Sequence, residues 1–483
     1  MARWAGILVV MARHLPLVSY LLLCAGFLVG CVAAPDVGRE EAHAQERACE
    51  LSPLGVRVHR AAMRAEQSRN TVPEDVVVGL RNRAFDALVT GPAIFPAMAE
   101  RIASAEAEVD IAMFVFDYSD AYDDVMDGIA RLEERRRAAG AEQPVIVRIV
   151  VDAMKVLINS PIDMATRVFD GVAALELDPD YVQVMIATYE HVALGNLHTK
   201  TVIIDGKTAM LGGANIQPQH DYAEPWMDAF FVVEGEAAQT LLADFDHAWN
   251  KSRQWVCEAA DELLCRPWEH APSAWHASSV LDPDFRDTEL GCVPTIALSR
   301  TAWGGFNNNV DNPQDQGILA AIDGAEERIR MQTPNLNDDA VRDALVRALA
   351  RGVQIQIVLS MGFNDAPMNF LGGTNEEVAD DLQRRAAAEA TEHADQLRIR
   401  WYSENRREPV DGNVPGASHL KYLSIDGRMA IVGSTNMDTI AWNHSRETNL
   451  AFDDPRVTAM WDAQVFEPNF ARGVPAQLRS VQK

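Results

Sequence analysis

The sequence predicts an α/β protein built from two like lobes in tandem. Three observations lead there. The halves of the chain align with each other at an offset of about 220 residues. In each half, amphipathic helical patterns alternate with short apolar runs of strand length. One motif, His-x-Lys followed by Asp and then Asn, occurs once per half at the same offset. With 483 residues, 48% hydrophobic and 23% charged, the chain has room for roughly two to four domain-sized units, and its composition excludes disorder and coiled coil.

Residues 1–30 read as a signal peptide. Arg13 and His14 precede an apolar run from Leu15 to Gly30, and small residues lead into Cys31 as in a bacterial lipobox. The run is short for a spanning helix, which needs about 20 apolar residues, and Pro16 stands near its start. The expectation is an exported protein of the bacterial cell envelope, lipid-anchored at Cys31 and facing periplasm or surface. A simple secretory signal and an uncleaved anchor are the other readings. Export would place Cys49, Cys257, Cys265 and Cys292 in an oxidising compartment. Their spacing lacks the close Cys-x-x-Cys pairs of a zinc knuckle, so disulfides are favoured over metal; three pairings are open, and Cys257 with Cys265 is the most local.

Residues 31–75 form a polar lead-in and residues 76–256 the first repeat. Within it, Ala99 to Phe116 is a helical pattern feeding a strand, followed by a helix from Ala121 to Ala139 and strands at Val145 to Val151 and near Val182 to Thr188. Residues 257–300, rich in Trp, Pro, His and Cys, connect to the second repeat, residues 301–483. There Leu319 to Pro334 restates the first unit, with Ile102 over Ile322, Ala105 over Ala325 and Val109 over Ile329. A helix from Ala340 to Ala350 and strands at Val353 to Leu359 and Leu397 to Tyr402 follow. Two stretches, Asn364 to Gln396 and Ser403 to Ala417, have no clear first-half counterpart and read as solvated loops of a kind that often shapes substrate entry.

Charge narrows the function. Lys+Arg 43 against Asp+Glu 70 gives −27, a field that repels nucleic acid unless a local basic patch overrides it. The Arg384-Arg385 and Arg406-Arg407 pairs read as solvated faces rather than such a patch. Lysine is scarce: Lys155, Lys200, Lys207, Lys251, Lys421 and Lys483 are all there are, so two of them in a repeated motif carry information.

That motif is His198-Thr-Lys200, then Asp205-Gly206, then Gly212-Gly213-Ala-Asn215. It returns as His419-Leu-Lys421, Asp426-Gly427 and Gly433-Ser434-Thr-Asn436. On a strand, residues two apart share a face, so each His and Lys can converge on one anion. Asp205-Gly206 is a turn signal, and the Gly-rich bend beyond the return strand lets backbone N–H groups and the Asn215 amide approach the same point, as Asn436 would in the second half. Together the halves would collect two His, two Lys and two Asn: a donor-rich pocket for a phosphate. Two histidines at one phosphodiester can divide the work, one attacking phosphorus and the other protonating the departing oxygen. Lys200 and Lys421 would carry the negative charge, so no metal or cofactor is required, and no His-Asp-Glu cluster has convincing ligand spacing in sequence.

The pattern H-x-K-x(4)-D-x(6)-G-[GS]-x-N, present twice, resembles the phospholipase D superfamily over about residues 76 to 470. The resemblance implies two α/β lobes related by a pseudo-twofold axis with one active site at their junction, and a covalent phosphohistidine resolved by water or by an alcohol. It implies His198 as nucleophile and His419 as general acid then base, with the reverse order open. Asp205 and Asp426 belong to the motif, although as turn-forming carboxylates they read as more structural than chemical. Trp226-Met-Asp228 after the first motif is as in bacterial cardiolipin synthases, and Glu447 follows the second. In the family such acids buttress the histidine of the opposite lobe, which implies Asp228 near His419 and Glu447 near His198. The substrates so implied are a membrane phospholipid with water or an alcohol. A nuclease of the same superfamily and a non-catalytic envelope lipoprotein are the alternatives.

Overall fold

The computed structural model describes residues 49–153, 163–190, 195–258, 264–267, 290–303, 311–368 and 370–477, all within one compact unit, Gln45–Lys483. The stretch expected to be a signal peptide and Cys31 lie outside the described residues, as does most of the connecting segment. Among the described residues no helix is long and apolar enough to cross a membrane.

Each half builds the same sheet. In the first the central order is Val182–Tyr189, Val145–Asp152, Glu108–Met113, Lys200–Ile204, Thr208–Gly212, Ala229–Gly235. In the second it is Leu397–Trp401, Gln354–Leu359, Arg328–Thr333, Tyr422–Ile425, Met429–Gly433, Asn449–Phe452. The first three strands of each set run parallel, and the motif hairpin adds antiparallel to the third. Both lobes therefore have one topology, as a tandem pseudo-twofold pair requires.

The first sheet reads as almost continuously apolar because both faces are covered. Val109, Ile111 and Met113 pack with Val147, Ile149 and Val151 beneath helices Gly91–Ala103 and Asp120–Ala138. The alternate residues Ala112, Val150, Ile203, Leu211 and Phe231 join a core that continues into the second lobe through Ile329, Ile357, Tyr422 and Trp461. The two lobes thus share one apolar interior, and Phe231 stacks directly on Tyr422 across it.

Two expectations change. The stretch Asn364 to Gln396 is not a loop without counterpart: it holds helix Asn375–Glu389, opened by a Thr374–Glu377 capping box. This helix links the parallel strands Gln354–Leu359 and Leu397–Trp401, just as Asp163–Ala174 links Val145–Asp152 and Val182–Tyr189. Parallel neighbours need such a crossover, but its apolar face is only Val378, Ala379, Leu382 and Ala386 in a strongly charged segment. The second change concerns boundaries. Helix Pro53–Arg64 of the lead-in packs on Pro313–Gly324, Ser52 donates to Asp453 from its hydroxyl (2.7 Å), and Cys49 is disulfide-bonded to Cys292. Strand Val78–Gly79 pairs with Thr295–Ala297 at the edge of the second sheet, so elements that precede the first lobe in sequence belong to the second. In the remaining stretch the backbone register sets Cys257 opposite Cys265.

Candidate active site

The two motifs meet through a reciprocal pairing of backbone. Leu197 forms a parallel bridge with Arg446, and Ser418 one with Met227. His198 N–H donates to Arg446 O (3.0 Å) and Arg446 N–H to Asn196 O (2.7 Å); His419 N–H donates to Met227 O (2.8 Å) and Met227 N–H to Ala417 O (2.7 Å). The residue before each motif histidine is therefore paired with the residue before an acidic side chain of the opposite lobe. That register delivers the acids: His198 Nδ1 lies 3.0 Å from a Glu447 oxygen, and His419 Nδ1 lies 2.8 Å from Asp228 Oδ2.

An ionised carboxylate only accepts, so each Nδ1 carries a proton toward its acid and each Nε2 is left for substrate. Lys421 Nζ also sits 2.9 Å from His419 Nδ1, but that nitrogen has one in-plane position and the carboxylate takes it; the ammonium donates instead to the His419 carbonyl. Lys200 Nζ likewise donates to His198 O (2.6 Å). Ser434 adds a hydroxyl donor to Glu447. Thr199 and Thr448 bond across the junction (2.9 Å), and Thr448 donates to Asp244 (2.6 Å).

Burial dominates the electrostatics. It lowers His198 against the opposing pull of Glu447, and lowers His419 well below the ordinary imidazole value, helped by Lys421 and opposed by Asp228. Burial alone would raise Asp228, but Lys421 and the neighbouring imidazoles outweigh it and hold the carboxyl below the usual carboxylate range. Burial brings Lys200 down to about 7 and Lys421 to about 8, with Glu447 and Asp228 the respective main counterweights. Both lysines lose charge as pH rises through those values, so anion affinity must fall over the same interval. Dimethyl phosphate, whose own charge is constant there, should bind about tenfold or more weaker at pH 9 than at pH 6.5 by calorimetry.

Asp205 and Asp426 are not part of this group. Each ends its strand opposite the lysine end, in left-handed conformation (φ 52° and 55°), and accepts backbone N–H groups of the neighbouring loop. Asp205 takes those of Glu106, Ala107 and Glu108; Asp426 takes those of Glu326, Glu327 and Arg328. They fix the hairpin to the strand beside it. Asp205→Ala should cost about 2–4 kcal/mol in denaturant unfolding while leaving the rate per folded molecule within about threefold. Among the described residues neither Asn215 Oδ1 nor Asn436 Oδ1 has a partner, and Asn436 donates Nδ2 to Asp438 (3.0 Å). Gly213 leaves no room for a side chain at the junction: a Cβ there would stand 2.3 Å from Asp228 Oδ1 and 2.8 Å from Lys421 Cδ of the other lobe.

Residues 98–249 and 318–467, one block in each lobe, match the family described as "Cardiolipin synthase, PLD-like domain". The chain belongs to this PLD-like family. Among its relatives, the probable cardiolipin synthase YwiE of Bacillus subtilis (strain 168) is 24% identical over 277 residues, 56% of this chain and 45% of that protein. Phospholipase D of Streptomyces antibioticus is 23% identical over 299 residues, 50% of this chain and 53% of that protein. The chain thus spans about half the length of these two proteins. Cardiolipin synthase of Oceanobacillus iheyensis is 23% identical over 393 residues, 79% of this chain and 68% of that one. The fold is shared with phosphatidylserine synthase of Haemophilus influenzae Rd KW20, with a TM-score of 0.56 and 15% identity over 82% of this chain and 88% of that one.

Several residues around this PLD-like centre carry no signal in the motif. Phe114 packs edge-on to His198 (5.1 Å between centroids) and under the Lys200 ammonium (5.0 Å). Trp226 and Phe363 flank His419 at 5.4 and 5.6 Å, and Trp226 Nε1 is anchored to Val414 O (2.8 Å). Phe114 lies inside an apolar run, and Trp226 stands two residues before Asp228; Phe363 immediately precedes the first of the two second-half stretches read as loops, and Val414 comes from the second. His220, Asp228 and His419 also converge, with one ligand atom each within 4.8 Å, a cluster that linear spacing hides. A cation would fit their atom types, but the Lys421 ammonium already stands beside His419 Nδ1 and Asp228 is taken by His419, so we assign no metal to these residues.

Proposed function

We propose that the protein is a phospholipid phosphodiesterase that works through a phosphohistidine, with water or an alcohol as acceptor. The observation that carries this reading is the crossed pairing of each motif histidine with a carboxylate of the other lobe, beside two buried lysines. His198 Nε2 attacks phosphorus, a P–N bond forms as the P–O bond to the head group breaks, and His419, as the imidazolium that Asp228 stabilises, gives its Nε2 proton to the departing oxygen. His419 then takes a proton from the acceptor, whose oxygen displaces His198 and restores it. Lys200 and Lys421 hold the nonbridging oxygens, with Asn215 beside them. Assigning His198 to attack agrees with its greater exposure, 12% of the side chain against 7% for His419. Relatives named cardiolipin synthase and phospholipase D support a lipid substrate over a nucleic acid, as does the net charge of −27.

Phosphatidylglycerol vesicles incubated with the protein, with and without added glycerol, test this directly. Phosphatidic acid marks hydrolysis, and cardiolipin or exchanged phospholipid marks transfer, provided His198→Ala is silent. Absence of any lipid product from folded protein, or cleavage of DNA instead, would overturn the lipid reading.

We also propose export with lipid attachment at Cys31. It is supported by the apolar run ending in Leu28-Val29-Gly30-Cys31 and by the Cys49–Cys292 disulfide, which suits an oxidising compartment. In a bacterial host the protein should incorporate labelled palmitate and Cys31→Ser should not; equal labelling would refute the anchor.

A further inference from the structure

We infer that His220 is a positioning residue that sets the geometry and proton affinity of His419 through the carboxylate the two histidines share. The inference rests on the reading of His419 as the proton carrier. His220 is fully buried on the turn Pro218–His220, and its Nε2 stands 3.4 Å from Asp228 Oδ2, the same oxygen that faces His419 Nδ1 at 2.8 Å. The two imidazoles meet at 63°, 5.6 Å between centroids, and Trp226 packs edge-on against His220 at 5.6 Å.

The turn is held rather than merely filled. His220 N–H donates to Gln217 O (3.0 Å), Trp226 N–H to Gln219 O (2.8 Å), and Thr90 N–H to Asp228 O (2.9 Å). Gly91 lets the turn sit on the start of helix Gly91–Ala103: a Cβ there would overlap His220 O. The side-chain amide of Gln217 reaches His220 Nδ1 at 3.5 Å, where its N–H donates. An acceptor at Nδ1 puts the ring proton on Nε2, which stands 3.4 Å from Asp228 Oδ2 and completes no hydrogen bond of good geometry among the described residues, so its action on that carboxylate is electrostatic.

The charged groups facing His220 are Asp228, Lys421 and Lys200, with His419 opposite; burial, helped by the two lysines and opposed by Asp228, lowers His220 from the ordinary imidazole value. A neutral N–H beside Asp228 offsets part of its negative charge at His419. His419 then holds its proton less tightly, which favours release to a leaving alkoxide. Without that N–H, Asp228 acts on His419 alone and the His419 pKa rises.

The test uses ring nitrogen NMR of the full chain without lipid. In the wild-type protein the neutral His220 ring should be the Nε2–H tautomer. In a His198→Ala background, His220→Phe should move the His419 titration up by about 0.5–1 pH unit, while His220→Gln, which keeps a donor, should leave it within about 0.3 unit. In the active enzyme His220→Phe should move the alkaline limb of kcat/KM upward by the same amount. An Nδ1–H tautomer in the wild type, or an unmoved His419 titration in folded His220→Phe, overturns the inference; the tautomer decides it if His220→Phe does not fold. The NMR readouts need no turnover, so the expected titrations alongside a silent lipid assay would refute the functional reading alone.

Discussion

Replacing His198 by alanine is expected to lower turnover by about 10⁴-fold or more without unfolding the protein. Its side chain is partly open to the site, and the backbone bond from its N–H to Arg446 O survives the change. His419→Ala should be comparably inactive on lipid, but the two losses differ in kind. A phosphodiester with a nitrophenolate leaving group needs no proton at departure, so His419→Ala should regain its first turnover on that substrate while His198→Ala should not. A burst of nitrophenolate from His419→Ala and none from His198→Ala, read in a stopped-flow trace, fixes the order of the two histidines. The opposite pattern would exchange their roles.

Removing the charge from a buttressing acid is the next largest expected effect. Asp228→Asn and Glu447→Gln should each reduce kcat/KM by about 10²–10⁴-fold, because a neutral amide no longer stabilises the imidazolium or enforces the Nδ1–H tautomer. Asp228→Asn also takes away the largest favourable interaction of the Lys421 ammonium, so Lys421 should titrate still lower and dimethyl phosphate should bind more weakly at neutral pH. Glu447 should be less coupled to that lysine and more to Lys200. For stability the sign at Asp228 is that of a depressed carboxyl. The stabilising contribution is present above the ordinary carboxylate value and is lost only as pH falls toward its lower folded value. The acid limb of a wild-type unfolding curve should therefore shift relative to Asp228→Asn below about pH 4 and nowhere near neutrality. A uniform loss of stability at all pH values would mean that Asp228 acts by packing alone.

Much of this site is legible in the sequence because the repeat supplies its own control. Two copies of His, Lys, Asp, Gly and Asn in register announce a duplicated strand hairpin, and Asp228 and Glu447 stand at comparable distances beyond each copy. What sequence could not carry is the reciprocal bridge of Leu197 with Arg446 and Met227 with Ser418, since backbone pairing between lobes leaves no residue-type signal. His220 is missed for a related reason: a lone histidine in a Pro-containing turn has no periodic partner, and its meaning arises only where Asp228 comes to meet it. Helix Asn375–Glu389 is hidden by its charge, and the lead-in helix Pro53–Arg64 by the whole first lobe that separates it in sequence from its partner, Pro313–Gly324. Asp205 and Asp426 show the converse. A motif residue need not touch the chemistry, and here a carboxylate at positive φ gathers three backbone donors at the far end of the strand.

The central claim, one site assembled from both lobes with His198 as the covalent carrier, is tested most directly by trapping the intermediate. The protein is mixed with phosphatidylglycerol, quenched in alkaline denaturant to preserve a P–N bond, digested, and read by mass spectrometry. The expected result is a phosphatidyl adduct on the peptide containing His198, absent from His198→Ala. An adduct on His419, or continued turnover with no adduct on either histidine, would contradict it.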